Sequence, residues 1–494
     1  MALRIYNTLS GKVEEFQPLQ DNTVRMYACG PTVYDYGHIG NFRTFLAVDI
    51  LRRFLRQSGY KIQHVMNITD VDDKIIRNSA RDGVSVKEYT AKYEKAFLED
   101  ITMLNIETPI IVRATEHIPE MAEFVADLEK KGFAYRAEDG SYYFRIAKFP
   151  GYGKLSKKDF EGMEDGARVD VDEYEKDSAR DFALWKAPKP GEASWDTVIG
   201  PGRPGWHLEC SVMSMDELGE SFDLHAGGED LIFPHHENEI AQSEAKTGKQ
   251  FARYWFHARF LLVEGEKMSK SAGNFFTLRD LMLKGYKPST IRYSLASVPY
   301  RNQLNFTFDG LKSAATSVDR LRNFRLRLNT GKFQDGSTEE MAKLARGTSD
   351  RMRAAMEDDL NTAQAQAAIF DMVRAANAAF DSGQIKSGDV KSLLGALNQF
   401  DELFAVLNDD DAPKMKAVVE WAKTVDREEE ISPELHEIVG AGQLSDADIE
   451  KKIAEMETAR KARNFKVSDA IRAELTGAGI LIENTKDGVR WRRK

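Results

Sequence analysis

Cysteine is scarce in this sequence of 494 residues, which contains only Cys29 and Cys210. Two thiols so far apart, in a chain with no sign of export, exclude the disulfide framework that small secreted proteins use. Taken alone, the pair is typical of two free thiols buried in a core. Later parts of the sequence offer both residues another role.

Long hydrophobic runs are also missing. No stretch approaches the roughly 18 consecutive apolar residues of a membrane span, although 42% of the residues are hydrophobic. The first residues, MALRIYNTLSGKVEEF, lack the positive segment and apolar stretch of a secretory signal. We therefore expect a cytoplasmic protein with no membrane contact. At about 100 to 200 residues per domain, the length predicts three or four domains.

An excess of positive charge is absent as well, because the net charge is −10 and the pI is about 5.6. This balance argues against a protein that coats nucleic acid nonspecifically. It does not exclude a local basic surface, since residues 451–494 contain twelve Lys or Arg and six Asp or Glu. Solvated chain ends are often basic, so charge alone does not identify a partner.

Hydrophobic patterning predicts an α/β fold. Residues 23–29 form an extended stretch, residues 41–58 have the apolar spacing of a helix, and residues 61–68 have the composition of a buried strand. This order is typical of a parallel βαβ unit, the start of a doubly wound, Rossmann-like sheet. Strand character returns at residues 222–225, 231–234 and 256–263.

Two other regions differ from this α/β pattern. An amphipathic helix from residue 118, followed by a polar stretch with Pro and Gly up to residue 204, predicts an insertion into the sheet domain. After about residue 305 the chain is helical, Ala-rich and charged, which is typical of a helical bundle. A small final domain is predicted to begin near Pro433.

The first candidate site is segment 29–41, CGPTVYDYGHIGN, where the first strand meets the first helix. Open α/β sheets bind nucleotides there, beyond the carboxyl ends of strands and at a helix N-terminus with free backbone donors. Gly37 and Gly40 allow a ligand to approach the backbone closely, and His38 can donate to a phosphate oxygen. The short His-containing motif alone is more typical of a turn, so the hypothesis needs a second motif.

That second motif is segment 265–274, GEKMSKSAGN. Lys267 and Lys270 lie three residues apart with a hydroxyl between them and glycines nearby, which suits a mobile loop that closes on a polyphosphate. Their charges would neutralise the pyrophosphate that develops in a transition state. Together with the histidine motif, this segment favours a nucleotide site over an ordinary exposed basic loop.

The two segments resemble the two signatures of class I aminoacyl-tRNA synthetases. Segments 30–34 (GPTVY), 67–74 (NITDVDDK), 205–210 (GWHLEC) and 233–239 (FPHHENE) are similar to the cysteinyl-tRNA synthetase family, and the similarity extends over nearly the whole chain. The resemblance implies activation of L-cysteine with ATP and transfer to cysteine tRNA by a monomer, and we expect Mg²⁺ to accompany ATP, as it does most phosphate substrates. The residues it marks as catalytic are His38, Asn41, Lys267 and Lys270, and those it marks as ATP-binding are His38, Gly40 and Lys270.

A metal site follows from residue chemistry and from the resemblance. His235 and Glu239 lie four apart on a predicted helix that Pro234 can start, so their side chains share a face. With Cys29 and Cys210 they have the composition of a tetrahedral zinc site, although residue chemistry leaves their convergence open. The resemblance implies that these four residues bind one Zn²⁺ per chain. The competing histidine, His236, is interpreted as a polar neighbour that points to the other helix face.

Zinc would explain how cysteine is selected over serine. An apolar pocket separates such near-isosteres only by roughly 10- to 200-fold, whereas a thiol binds zinc as a thiolate near neutral pH and a hydroxyl resists deprotonation. The resemblance places Thr69, Trp206, His225 and Asp230 in the cysteine pocket, with Asp230 facing the substrate ammonium and Trp206 packed over it. Each of the four also suits a core or turn position.

Three features depart from the commonest family pattern. Asn41 stands where many members carry a second histidine, Ala226 stands where glycine is frequent, and residues 258–263 read ARFLLV rather than the usual Gly-His type. These changes leave the proposed chemistry in place. They put the geometry of the pocket wall in question.

The C-terminal end resembles the family's anticodon-reading module over residues 460–472 and 479–491. Arginines and an aromatic residue can hold phosphates and stack on unpaired bases there. Trp491 is interpreted either as such a stacking residue or as a core residue.

The predicted organisation combines these parts. Residues 1–117 and 200–260 form the catalytic domain, 118–199 a connective insertion, 261–305 the signature-loop and stem-contact region, 306–410 the helical bundle, and 411–494 the anticodon-binding region. Two rival functions are a paralogous ligase that passes cysteine to an amino-sugar acceptor and a noncatalytic tRNA-binding protein. The long region after Tyr300 argues against the first, and the intact lysines and metal-type ligands argue against the second.

Overall fold

The computed structural model describes residues 3–158, 180–189, 191–441, 444–485 and 488–493. The strands are β1 (Arg4–Asn7), β2 (Lys12–Glu15), β3 (Thr23–Ala28), β4 (Lys61–Ile68), β5 (Ile110–Arg113), β6 (Ala134–Arg136), β7 (Tyr142–Phe144), β8 (Phe182–Lys186), β9 (Arg203–Pro204), β10 (Phe222–Gly228), β11 (Ala252–Ala258), β12 (Leu261–Val263), β13 (Glu266–Lys267), β14 (Leu304–Phe306), β15 (Ile480–Thr485) and β16 (Gly488–Arg493).

The α-helices of the same residues follow in chain order. They are α1 (Ile39–Gln57), α2 (Asp73–Asp82), α3 (Val86–Met103), α4 (Ile118–Lys130), α5 (Trp206–Leu218), α6 (His235–Thr247), α7 (Leu278–Leu283), α8 (Pro288–Leu295), α9 (Phe308–Thr330), α10 (Glu339–Glu357), α11 (Thr362–Asp381), α12 (Ser387–Phe404), α13 (Asp411–Thr424), α14 (Pro433–Ala441), α15 (Asp446–Lys461) and α16 (Phe465–Gly477). None of these helices combines the length and apolar character that a membrane crossing requires.

A five-stranded sheet organises the catalytic half. Its order is β11-β10-β3-β4-β5, and every neighbouring pair is parallel. The first strand of the sheet along the chain is therefore central, and the order reverses between β3 and β10. In doubly wound sheets, ligands bind at the carboxyl ends of the strands where this reversal occurs. The predicted α/β fold is confirmed.

The first βαβ unit shows why the sequence folds in this way. His38 begins α1 with a capping box, in which its ring accepts from the Asn41 N–H and the Asn41 side chain accepts from the His38 N–H. The helix buries an apolar face that includes Phe42 and Phe54. It ends before Gly59, whose φ of +95° suits glycine. β4 then begins at Lys61.

Both faces of the sheet are covered, as expected for parallel strands. One hydrophobic core joins α1 to the sheet and continues into the helices that follow β14. A second core lies on the opposite face, where α5 and α6 pack with α4 and the insertion. The described part of the insertion is an antiparallel sheet, β6-β7-β8-β9, joined to the main domain through α4.

The C-terminal half is helical until its last two strands. Helices α9 to α12 pack against one another, and α13 packs against α7 and α8 of the catalytic half. The buried carboxylate of Asp411 accepts from the Ser289 N–H and hydroxyl, which fastens the start of α13. The last helices and strands form a small core of their own from Ile449, Ile453, Leu475 and Ile480.

Two strand predictions are wrong in detail. Residues 231–234 do not form a strand: a 3₁₀ turn spans Glu229–Ile232 after the glycine pair that ends β10. Residues 256–263 are divided between β11 and β12. Periodicity cannot separate a short apolar strand from a buried turn, so glycines and prolines at the edges decide such cases.

Candidate active site and metal centre

Four residues with metal-ligand chemistry converge near the switch point of the sheet. Cys29 follows β3, Cys210 lies on α5, and His235 and Glu239 lie on α6. Their ligand atoms all lie within 4.8 Å of one another, and all four residues are buried. Cys29 Sγ is 3.7 Å from Cys210 Sγ, and His235 Nε2 is 3.0 Å from Glu239 Oε1. The structure thus brings together the four residues that the sequence nominated.

A second group of ligand-type atoms shares Cys29 and Glu239 with the first and adds His225 and His236. His236 Nε2 lies 3.2 Å from Cys29 Sγ, and His225 Nε2 lies 2.7 Å from Glu239 Oε2. The interpretation that His236 points to the other helix face is wrong. Residues three apart on a helix share a face, as residues four apart do, so His236 and Glu239 are neighbours.

A chain of hydrogen-bonding groups contacts His236 on the side of its ring that faces away from Cys29. Its Nδ1 lies 2.8 Å from His257 Nε2, and His257 Nδ1 lies 2.8 Å from the Thr8 hydroxyl. Burial lowers the pKa of both rings, in His257 to about 3, so both are neutral. Each neutral ring carries one N–H. The hydrogen bond at Nδ1 of His236 orients this ring so that its Nε2 faces Cys29.

The electrostatics of the cluster favour a cation. Burial opposes ionisation of Glu239, but His225 and His235 outweigh it and lower the pKa to about 2. Burial likewise opposes charge on Cys210, but the hydrogen bond from Cys29 and the charge of His235 lower its pKa to about 6. A carboxylate and a thiolate thus face the same small space. Burial opposes charge on the His235 ring, but Glu239 and Cys210 outweigh it and raise its pKa to about 10, so an imidazolium balances the two anions. A divalent, thiophilic metal would supply that positive charge in place of the imidazole proton.

The residues nominated for the cysteine pocket surround the cluster. Trp206 stacks on His235 with ring centroids 4.1 Å apart and is 39% exposed, so it lies between the cluster and solvent. His225 contacts Glu239. Asp230 lies in the turn that follows β10, and burial raises the pKa of its carboxyl. These three residues are therefore near the candidate metal ligands.

Thr69, the fourth nominated pocket residue, is buried and donates its hydroxyl proton to Glu209 Oε2 at 2.8 Å. Sequence reasoning missed Glu209, which is 1% exposed and precedes Cys210 on α5. Burial raises the pKa of its carboxyl well above the usual range. The signal was an acid inside the apolar stretch WHLECSVM, where a carboxyl is retained only with a partner.

Glycines at the ends of two strands let the backbone approach closely. A Cβ on Gly30 would lie 1.8 Å from the carbonyl oxygen of Asn67, so only glycine fits between β3 and β4. A Cβ on Gly227 would lie 2.7 Å from His236 Cε1. Ala226, which precedes Gly227 and stands where the family frequently has glycine, belongs to the core on the α1 side of the sheet. Neighbouring residues along a strand face opposite sides of the sheet. The Ala226 methyl therefore points away from the metal-type cluster, by which we mean Cys29, Cys210, His235 and Glu239.

The predicted nucleotide site centres on His38. Its Nδ1 accepts from the Asn41 N–H at 3.2 Å, so a neutral ring carries its proton on Nε2. Burial, aided by the charge of Lys270, lowers the pKa of His38 to about 4. A neutral donor therefore stands at the N-terminus of α1. Asn41, the second departure, serves as the other half of the cap.

The signature loop after β13 lies against this helix end. Lys270 Nζ donates to Asp35 Oδ2 at 2.8 Å and lies 5.2 Å from the Phe275 ring centroid, and that ring packs edge-on against His38. Lys267 is exposed at the start of the loop, where its carbonyl accepts from Asn274. Gly40 faces the same loop. A Cβ there would lie 3.4 Å from Met268 Cε and 3.0 Å from His38 Cε1.

The third departure, residues 258–263, leads into the signature loop. Its last three residues form β12, which pairs with β13 and with β14. The Arg259 N–H donates to the carbonyl of Tyr300. This segment therefore packs against the strands at the base of the signature loop, residues 265–274, and does not line the metal-type cluster.

The C-terminal module presents a different aromatic residue from the one considered in the sequence. Trp491 packs against the small core of this module. Phe465, at the start of α16, is 58% exposed, and Lys461, Arg463 and Lys466 beside it are exposed as well. Phe465 is therefore the aromatic side chain that this module exposes beside basic residues among the residues that the structure describes.

Comparison with known proteins follows the same division of the chain. Residues 15–316 match the family described as the class I (C) tRNA synthetase catalytic domain, and residues 351–408 match the DALR domain. A cysteine-tRNA ligase of Koribacter versatilis is 68% identical, and one of Leptospira interrogans is 44% identical; both alignments cover 100% of this chain and at least 99% of the relative.

Solved structures support the fold independently. Methionyl-tRNA synthetase of Mycobacterium tuberculosis in complex with methionyl-adenylate has a TM-score of 0.56 at 15% identity and covers 86% of this chain and 95% of its own. A leucyl-tRNA synthetase from Agrobacterium radiobacter, in a ternary complex with tRNA, has the same TM-score and covers 80% of this chain and 86% of its own. With the full-length similarity to the curated relatives, the chain belongs to the cysteine-tRNA ligase family of class I tRNA synthetases.

Proposed function

We propose that this chain activates L-cysteine with ATP and transfers the cysteinyl group to the 3′ end of cysteine tRNA. The observation that carries this function is the buried group of Cys29, Cys210, His235 and Glu239. It lies at the switch point of a nucleotide-binding sheet, in a chain whose full-length relatives are cysteine-tRNA ligases. Cysteine-dependent exchange of pyrophosphate into ATP, followed by charging of total tRNA, tests it.

The donor set fits one zinc ion. Two sulfurs, an imidazole nitrogen and a carboxylate oxygen are the ligand types that zinc prefers, and here they are buried and mutually close. Because the second group shares Cys29 and Glu239 with the first, a metal in each group would require both residues to bridge two ions. We favour the set with two thiols, since thiolates select zinc over harder cations. A bound zinc ion would supply an acceptor for the thiolate of the substrate.

The pocket residues would orient the substrate around that contact. Asp230 provides a carboxylate for the ammonium group, and Trp206 covers the substrate from the solvent side. Thr69 and Glu209 would form the wall behind Cys210 through their hydrogen bond. These roles leave the carboxylate of cysteine directed towards His38 and the signature loop.

In the first step, a carboxylate oxygen of cysteine bonds to the α-phosphorus of ATP, and the bond to the bridging oxygen of the β-phosphate breaks. Pyrophosphate leaves; Mg²⁺ bound to ATP would supply further neutralisation of its charge. His38 donates from Nε2 to a phosphate oxygen, Gly40 leaves room for the nucleotide, and Asn41 holds the histidine ring. Lys267 and Lys270 neutralise the leaving pyrophosphate. In the second step, a terminal ribose hydroxyl of the tRNA attacks the carbonyl carbon, the bond to the phosphate oxygen breaks, and AMP leaves as the hydroxyl proton passes to a phosphate oxygen.

Metal content is the first test of this assignment. We expect one zinc per chain in the purified protein, measured by elemental analysis, because four buried ligands match one tetrahedral site. Cys210→Ser should lose most of the metal, since a serine hydroxyl is a poor zinc ligand. Ser214→Ala, which changes a buried residue on the same helix, should keep it. Full zinc content in Cys210→Ser would contradict the assignment.

The C-terminal module separates tRNA charging from the amino-sugar rival. An exposed ring among basic side chains is the usual means of binding unpaired bases and phosphates of RNA loops. We therefore assign Phe465 and its basic neighbours to the tRNA, in preference to Trp491. A cytoplasmic, monomeric enzyme remains our expectation.

Removal of this module should leave adenylation intact and impair charging. We place the truncation after residue 443 so that α13 and α14 are retained. Helix α13 packs on α7 and α8, and Leu435 of α14 is buried in the main core. Pyrophosphate exchange by residues 1–443 should stay within about twofold of the full chain. Charging of cysteine tRNA should fall sharply, and its salt dependence should weaken. Equal charging by the shortened and full chains would remove the tRNA role of the module.

A point variant sharpens the same experiment. Phe465→Ala should raise the KM for tRNA by roughly 5- to 150-fold, the range expected for the loss of one stacked base. Val84→Ala, which trims an exposed apolar residue in the catalytic half, is the matched control. If the full chain makes adenylate but charges no tRNA, the amino-sugar ligase becomes the better interpretation.

A further inference from the structure

Helix α13, which follows the bundle, reaches into the catalytic half. Trp421 near its end donates from Nε1 to the hydroxyl of Tyr36 at 3.2 Å. The two rings also pack edge to face, with centroids 5.4 Å apart and planes at 79°. Tyr36 lies in the loop between β3 and α1, two residues before His38. A residue of the helical half thus holds the loop that leads to the nucleotide site.

Arg279 fixes this contact from a third side. Its guanidinium lies 4.8 Å from the Trp421 ring centroid and 5.4 Å from the Tyr36 centroid. The side chain is 1% exposed and donates to Asp100 and Glu99 at 2.8 Å each. A buried guanidinium between two rings is held in place by both hydrogen bonds and cation-π attraction. Arg279 belongs to α7, the helix that directly follows the signature loop.

The contact continues from Tyr36 to the loop lysine. The Tyr36 N–H donates to Asp35 Oδ1 at 2.9 Å, and Asp35 Oδ2 accepts from Lys270 Nζ at 2.8 Å. One carboxylate therefore joins the backbone at Tyr36 to the signature loop. Because Asp35 precedes Tyr36 in the chain and accepts from its N–H, a shift of Tyr36 would move this carboxylate and the lysine that rests on it.

We propose that Trp421 is a positioning residue for adenylate formation, acting through Tyr36 and Asp35 on Lys270. This role rests on the proposed function. The ion pair between Asp35 and Lys270 is partly exposed, with side-chain exposures of 38% and 69%, and exposed pairs are weak. The triphosphate oxygens of ATP can therefore replace the Asp35 carboxylate as the partner of Lys270 at a small cost in free energy. The carboxylate keeps the flexible lysine above the site until ATP arrives, so less ordering remains for the chemical step.

A double-mutant cycle in the full-length chain tests this role. Trp421→Ala should lower kcat for cysteine-dependent pyrophosphate exchange about 10-fold, with the KM for cysteine unchanged within about twofold. In a Lys270→Ala background the same substitution should change kcat by less than about twofold, because the group on which it acts is gone. A tryptophan that only stabilises the fold would have equal effects in both backgrounds.

Two further variants control for stability. Val418→Ala trims a buried side chain on the same helix without touching Tyr36; it should lower the melting temperature and leave the kcat unchanged. Tyr36→Phe removes only the hydroxyl that accepts from Trp421. It should lower kcat about threefold, and only when Lys270 is present. This variant carries the test if Trp421→Ala does not fold.

The outcomes distinguish the positioning role of Trp421 from the proposed function of the chain. Equal losses of kcat with and without Lys270, or no loss in either Trp421→Ala or Tyr36→Phe, would overturn the positioning role and leave the proposed function standing. Absence of cysteine-dependent exchange in the unaltered chain would overturn the proposed function and the positioning role together.

Discussion

Replacement of Lys270 by alanine should lower the rate of cysteine-dependent pyrophosphate exchange about 10²- to 10³-fold. The ammonium group rests on Asp35, in the loop that leads to the N-terminus of α1, where we propose that the phosphates of ATP bind. Charge on the pyrophosphate grows as the bond to the α-phosphorus breaks. In the proposed mechanism Lys270 therefore stabilises the transition state more than the bound substrates.

The kinetic pattern distinguishes this role from a contribution to binding. The KM for cysteine should change little, since the lysine lies on the nucleotide side of the site. Lys284→Ala, which removes an exposed lysine after α7, is the control and should exchange at the normal rate. An unchanged rate in Lys270→Ala would exclude the transition-state role. A loss seen only as a raised KM for ATP would assign the lysine to ground-state binding.

Discrimination between cysteine and serine is the second large effect. We expect the ratio of kcat/KM for cysteine and serine in the exchange assay to exceed roughly 10³, because rejection by shape alone reaches only about 10² for such near-isosteres. The larger ratio requires an interaction that a thiolate makes and a hydroxyl does not. The four buried ligands supply the place for that interaction beside Trp206.

The ratio of kcat/KM for cysteine and serine should also depend on the metal. Removal of zinc with a chelator should lower activity with cysteine far more than activity with serine, so the ratio should fall towards the value for shape alone. Addition of zinc should restore the ratio. Comparable activity with both amino acids in the zinc-loaded protein would refute selection by the thiolate.

Much of the fold is readable from the sequence, because strong local signals agree there. Lys61–Ile68 is a strand with the bounds that its composition predicted, and α1 begins within two residues of the predicted start. The convergence of Cys29, Cys210, His235 and Glu239 was nominated through family resemblance and helix spacing. Spacing placed two of the four on one helical face, and only the resemblance joined them to the two cysteines.

What the sequence does not reveal depends on contacts between distant residues. The contact of His236 with Cys29 requires the relative rotation of α6 and β3, which no local pattern encodes. The docking of Trp421 on Tyr36 joins two segments with unrelated local signals. For Phe465 and Trp491, which ring is exposed is decided by the packing of the last helix on the last two strands. Burial of such residues follows from the assembled fold.

The order in which the candidate ligands occur along the chain has a consequence for synthesis. Cys29 leaves the ribosome early, whereas Glu239 follows only after the whole insertion has been made. At about 5 to 20 residues per second, the first thiol waits roughly 10 to 40 s for its last partner. During that interval a nascent chain presents one cysteine, and later two, that no assembled cluster protects. If these residues bind a metal as proposed, its capture by all four is a late event, and a first βαβ unit that folds during synthesis folds without it.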